Sequence, residues 1–202
     1  LDTPMGIAHY LEHKIFDMPD GGNALQTLSA TGASPNAFTS TAITGYHFEC
    51  TEGFWENLRT LLSFVSVPYF TKESVEKEQG IIGQEIRMIE DRPGWQAYHR
   101  LLEALYEHHP VRNSVAGSVE SIAQITAETL YHCHEAFYTP SNMVLCVAGN
   151  VDPEQVCAMA REILPKEAKP AIPRDHGSNE PSQVYCQEDV LTMEVAAPFL
   201  QI

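Results

Sequence analysis

The stretch His9-Tyr10-Leu11-Glu12-His13 constrains this 202-residue chain more than any other. Residues four apart on a helix lie on one face, one turn from each other. His9 and His13 can therefore aim two imidazoles at one metal ion, provided the stretch is helical and its face meets a further ligand. Glu12 lies one residue before the second histidine, close enough to act as a base without being a ligand. The order is H-x-x-E-H, the zinc peptidase motif H-E-x-x-H inverted. Thr3-Pro4 predicts the N-cap and first residue of this helix. Ile7 or Ala8, Leu11 and Ile15 supply an apolar stripe at helical spacing. The competing interpretation is a surface helix with two solvated histidines and a glutamate.

A catalytic zinc site needs three protein ligands and one open position. The segment from Thr71 to Asp91 predicts a helix, with Thr71 as N-cap and Arg92-Pro93-Gly94 as its stop. Its stripe runs Val75, Glu78, Ile82, Glu85, Ile89, which places two carboxylates on the core-facing side. Burying an unpaired carboxylate costs several kcal/mol, so such groups are paired, protonated or bound to metal. Glu78 and Glu85 lie seven residues apart, about two turns on one face. Either can be a ligand, with the other in support. A helix at the domain edge with both glutamates wet is the alternative.

Taken together, His9-x-x-Glu12-His13 followed by Glu78 and Glu85 resembles the pitrilysin family of zinc peptidases, which includes insulin-degrading enzyme and the mitochondrial processing peptidase. The resemblance implies that His9, His13 and Glu85 hold Zn²⁺, that Glu12 is the catalytic base and that Glu78 is an auxiliary catalytic glutamate. Gly32 to Ser40 is similar to the family's edge strand beside the active site. That implies a peptide substrate bound along Ser34, Asn36, Ala37 and Phe38 by strand addition. His109-Pro110 with Gly117, Tyr138 to Met143 and Val147 to Asn150 also follow the family pattern. Lys14 after the motif and Gly83-Gln84-Glu85 look closest to a bacterial branch. Tyr10 stands where Phe or Leu is common. Asp17 to Gly22 replaces a frequent Gly-Thr, which changes the loop and not the ligands.

The same resemblance implies an α+β fold, a mostly antiparallel sheet with helices on one face, forming one half of a two-half clamshell. Its partner would be a homologous C-terminal half or a partner subunit. The expected organisation is a zinc-binding peptidase domain over 1–165 lacking its first strand, a Pro-rich and charged linker over 166–182, and the start of a following segment over 183–202. A different class of function is a non-catalytic scaffold or partner subunit that keeps the fold for assembly. A purely structural zinc site is a weaker option, since no fourth protein ligand can be placed.

Composition sets bounds around this reading. The formal charge of −15 argues against nucleic acid or an anionic membrane as partner, because both need clustered Lys and Arg. No apolar run reaches transmembrane length. Five scattered cysteines without C-x-x-C spacing read as reduced residues, three of them (Cys133, Cys146, Cys157) in apolar surroundings, which fits a cytoplasmic protein. The chain opens without Met, so the natural N-terminus is expected to be missing.

Elsewhere, helices are expected over Asn23 to Ala30, around Phe54 to Val65, around Trp95 to Leu105, over Thr126 to Phe137 and from Asp152 to Leu164. Strands are expected over Asn36 to Ser40, Gly45 to Cys50, Met143 to Ala148 and within Val184 to Ala196. The other histidines find no partner at ligand spacing. Among them, His99 and His176 are expected to be exposed.

Overall fold

A computed structural model of the chain describes residues 3–167, 169–170, 172–173 and 179–202. Its elements run α1 (Ile7–Lys14), α2 (Ala24–Ala30), β1 (Ser34–Thr39), β2 (Thr44–Glu49), α3 (Phe54–Ser66), α4 (Lys72–Glu90), α5 (Pro93–Leu105), α6 (Val119–Ile122), α7 (Ala127–Phe137) and α8 (Pro153–Ile163). The architecture is α+β. β1 and β2 pair antiparallel, from Ser34 opposite Glu49 to Thr39 opposite Thr44.

α1 begins later than Thr3-Pro4 predicts. Gly6 is its N-cap, in the left-handed region at φ 87°. A Cβ there would meet the Ala116 carbonyl oxygen at 2.5 Å, and one on Gly117 would meet the Met5 carbonyl oxygen at 2.5 Å. These two glycines let the backbones touch, and the Ser121 hydroxyl donates to the Met5 carbonyl at 2.9 Å. Tertiary contact, not a side-chain cap, fixes where α1 starts. Its buried face is Tyr10, Leu11 and Ile15. The Tyr10 hydroxyl donates to the Val75 carbonyl at 2.5 Å, tying α1 to α4.

α4 follows its expected limits. Thr71 and Ser74 form a reciprocal capping box that satisfies the first free N–H groups. Its buried residues are Val75, Ile82, Gly83 and Ile86, while Ile89 is half-buried. The stripe thus drifts toward Ile86, as a period of 3.6 requires. Glu78 and Glu85 flank this face and are half-buried.

The main core joins α1, α2, α4 and α7 through Tyr10, Leu11, Ile15, Leu28, Ile82, Ile86 and Leu130. A smaller cluster seats α8 on α3 through Leu58, Leu62 and Val156. The expected helices at 24–30, 54–66, 93–105, 127–137 and 153–163 are present.

The strands expected at Met143–Ala148 and within Val184–Ala196 are not formed. Among the described residues the sheet has two strands. An extended apolar run becomes a strand only when another backbone supplies its hydrogen bonds. Among the described residues the 184–196 run makes one such bond to another element, from the Cys186 N–H to the Ala104 carbonyl at 2.8 Å, too few for a ladder, and in the other run Val144 is 94% exposed. Cys146 and Cys157 are exposed rather than in apolar surroundings, whereas Cys133 is buried. His99 is half-buried, stacked on Trp95 with centroids 4.6 Å apart. His176 and part of the expected linker lie outside the described residues.

Candidate metal centre

α1 and α4 cross so that the two histidines of one helix face a carboxylate of the other. His9 Nε2 lies 3.7 Å from Glu85 Oε1, and His13 Nε2 lies 3.4 Å from Glu85 Oε2. One ligand atom from each of His9, His13 and Glu85 falls within 4.8 Å of the others. The imidazoles meet edge-on, with centroids 4.7 Å apart. Two imidazole nitrogens and one carboxylate oxygen on a half-buried face suit Zn²⁺. The spacing argument for one shared face is met, and α4 brings in the carboxylate that the local sequence could not supply.

Glu78 sits two turns before Glu85, beneath His13. Its Oε1 lies 3.2 Å from His13 Nδ1. A hydrogen bond at Nδ1 leaves Nε2 for a ligand role and fixes how the ring points. Burial lowers the His9 imidazole below its ordinary value, and His13 adds to this. Burial also pulls His13 down, but the Glu78 hydrogen bond and the charges of Glu85, Glu78 and Glu12 outweigh it, so its net shift is upward. The bond to His13, aided by Lys14, holds the Glu78 carboxyl below the usual range against the opposing effect of burial.

Glu12 is 8% exposed and faces β1. The Thr39 hydroxyl donates to its Oε2 and lies 3.3 Å from the Thr44 hydroxyl. Among the described residues Glu12 Oε1 accepts no hydrogen bond. The carboxylate is thus anchored through one oxygen with the other left over. Thr39 was not singled out by sequence. Its signal is alternation alone, since Pro35, Ala37 and Thr39 are the half-buried residues of β1.

The side chains of Ser34, Asn36 and Phe38 occupy the exposed face of β1, opposite Thr39, while Ala37 shares the Thr39 face. Phe38 lies over Gly45, where a Cβ would meet its ring at 2.6 Å. Among the described residues one edge of β1 pairs with β2 and the other has no strand beside it. A cavity of about 290 Å³ adjoins the cluster, lined by His9, Thr39, Glu85, Trp95, Tyr98 and Leu102 among others. Trp95, Tyr98 and Leu102 read in the sequence only as a helical stripe. Their place beside the cluster follows from how α5 turns back at Pro93.

The chain resembles known proteins along nearly all its length. The zinc protease YmfH of Bacillus subtilis, described as uncharacterized, is 48% identical over 199 residues, which is 97% of this chain and 46% of YmfH. A zinc protease of Mycobacterium leprae, also described as uncharacterized, is 34% identical over 164 residues, 79% of this chain and 37% of that protein. Among solved structures, an M16-like peptidase from Alicyclobacillus acidocaldarius superposes with a TM-score of 0.83 at 41% identity, covering 92% of this chain and 44% of that one. A protease from Helicobacter pylori gives a TM-score of 0.76 at 25% identity, with 89% and 46% coverage. This chain therefore spans about half the length of the relatives it matches. The model of the peptidase M16 inactive domain matches residues 124–197. The model of the insulinase domain matches residues 2–119, which hold all of His9, Glu12, His13, Glu78 and Glu85, and the chain belongs to that family, the insulinases of peptidase family M16.

Proposed function

We propose that this chain is the motif-bearing half of a zinc endopeptidase that cleaves short, unfolded peptides. The observation that carries this reading is the convergence of His9, His13 and Glu85, with an anchored glutamate, Glu12, in the same turn of α1. His9, His13 and Glu85 would hold the ion. Zinc bound there would polarise a peptide carbonyl and lower the pKa of a water toward about 7. Glu12 takes a proton from the attacking water at Oε1 and returns it to the leaving amine, while Thr39 holds Oε2 still. Glu78 keeps His13 turned toward the ion. The open edge of β1 at Ser34, Asn36, Ala37 and Phe38 receives the substrate backbone by strand addition, which tolerates many side-chain sequences. A homologous half, in the same or a partner polypeptide, would close the opposite wall. The relatives, about twice as long, leave room for it. No described helix is long and apolar enough to cross a membrane.

Elemental analysis of the purified protein, followed by digestion of a peptide library with and without chelator, tests this. One zinc per chain and chelator-sensitive cleavage are expected. Glu85→Gln should lose zinc, whereas Glu12→Gln should keep it. Both variants holding zinc as the parent does would remove Glu85 from the ligand set. Zinc without any hydrolysis by the full-length protein would favour the scaffold reading.

A further inference from the structure

Lys14 follows the second histidine directly and is 3% exposed. A buried ammonium is tolerated only when paired, and an apolar side chain of similar volume would avoid its desolvation. The contacts of Lys14 account for its burial. Its Nζ lies 2.5 Å from Asp17 Oδ2 and 3.7 Å from Glu78 Oε2. The other oxygen of that same carboxylate, Oε1, faces His13 Nδ1 at 3.2 Å. A line of contacts thus runs Asp17, Lys14, Glu78, His13, crossing from α1 to α4 and back.

The division of Glu78 between its two neighbours is the informative point. A free carboxylate beside an imidazole can rotate and present either oxygen, at a range of angles. Here one oxygen lies in ion-pair contact, at 3.7 Å, with a cation that is itself held by Asp17. The other is left to accept from the Nδ1–H of His13, and His13 Nε2 then faces Glu85 at 3.4 Å. Asp17 offsets part of the Lys14 charge, so the cation adds orientation with little added repulsion at the centre.

We propose that Lys14 is a positioning residue of the metal centre: by holding one oxygen of Glu78 it turns the other to His13, and so sets the tautomer and direction of that ring. This rests on the reading of His13 as a ligand. Lys14 touches neither substrate nor ion, and its effect passes through Glu78.

The test is zinc affinity of the full-length protein, measured by competition with a chromophoric chelator. It is read alongside the visible spectrum of the Co²⁺ form and a thermal melt. Lys14→Met should weaken zinc about 10–100-fold, the usual cost of losing a residue that orients a ligand, and should alter the Co²⁺ bands. Lys14→Arg, which keeps a cation, should recover most of the affinity. The Lys14→Met/Glu78→Gln double variant should bind no more weakly than Glu78→Gln alone, since the two act in series. If Lys14→Met does not fold, Lys14→Met/Asp17→Asn strands one fewer carboxylate and carries the same expectation. Parental zinc affinity with only a lowered Tm would overturn the proposal and leave Lys14 a structural ion pair. Additive losses in the double variant would overturn it as well. A parent that binds no zinc would instead overturn the metal-centre reading on which it stands.

Discussion

The helical layer of α1, α4 and α7 and the extended run from Met143 to Ala148 are both apolar in sequence, yet the first supplies much of the core, whereas the second touches it through Met143 and Val147 and leaves Val144 outside. Tyr10, Ile82 and Leu130 are wholly buried, whereas Val144 is almost wholly exposed. A helix satisfies its own backbone and needs only a surface on which to lay its stripe. A strand needs a second backbone. Where β1 found β2 the ladder formed, and where 143–148 found none among the described residues it stayed open. The candidate site stands on the packed region, with His9, His13 and Glu85 borne by two helices locked together through Tyr10 and the core beneath.

If the open region marks where more protein belongs, the largest effect should come from supplying it. The 202-residue chain alone should bind zinc yet cleave a fluorogenic peptide at least about 10²-fold more slowly than the full-length protein, because alignment and water exclusion are worth several kcal/mol. Adding the remaining half in trans should restore activity. Full activity from this chain alone would break the comparison.

Within the packed region, Glu12→Gln should leave the fold and zinc in place and cut any peptide turnover by the full-length protein by roughly 10²–10⁴-fold, the worth of a positioned base. Near-parental turnover would remove Glu12 from the mechanism. Ile82→Ala should cost about 2–5 kcal/mol in denaturant unfolding of this chain, since Ile82 lies in the main core. Glu78→Ala should weaken zinc or activity about 10–100-fold, and a change in solubility alone would mean that Glu78 is merely a surface residue. The smallest effect belongs to the open region. Val144→Ala should shift the stability of this chain by less than about 0.5 kcal/mol. A loss as large as that of Ile82→Ala would show that Val144 is packed after all.

Much of the site was legible because it is local. The spacing of His9 and His13, the position of Glu12 and the seven-residue step from Glu78 to Glu85 follow from helical periodicity alone. The start of α4 was legible too, because Thr71 caps its own helix. What misled was non-local. Thr3-Pro4 looked like a start signal, but the contact of Gly6 with Ala116 set the start of α1 instead. Cys146 and Cys157 looked buried because their neighbours are apolar, but burial depends on what packs against them.

The sequence by itself therefore determined most of the longer helices, the residue types of the candidate metal centre and which of them share a face. These depend on the order of side chains within one or two turns. Helical spacing left Glu78 and Glu85 both open, and the family resemblance favoured Glu85; only the tertiary structure decided that Glu85 lies within 3.7 Å of both imidazoles, that Thr39 anchors Glu12, and that Lys14 and His13 face different oxygens of Glu78. Those contacts join residues from 27 to more than 60 positions apart, and the angle at which α1 crosses α4 and β1 selects them. That angle is set by the packing of Tyr10, Leu11, Ile82 and Ile86, which no local pattern encodes.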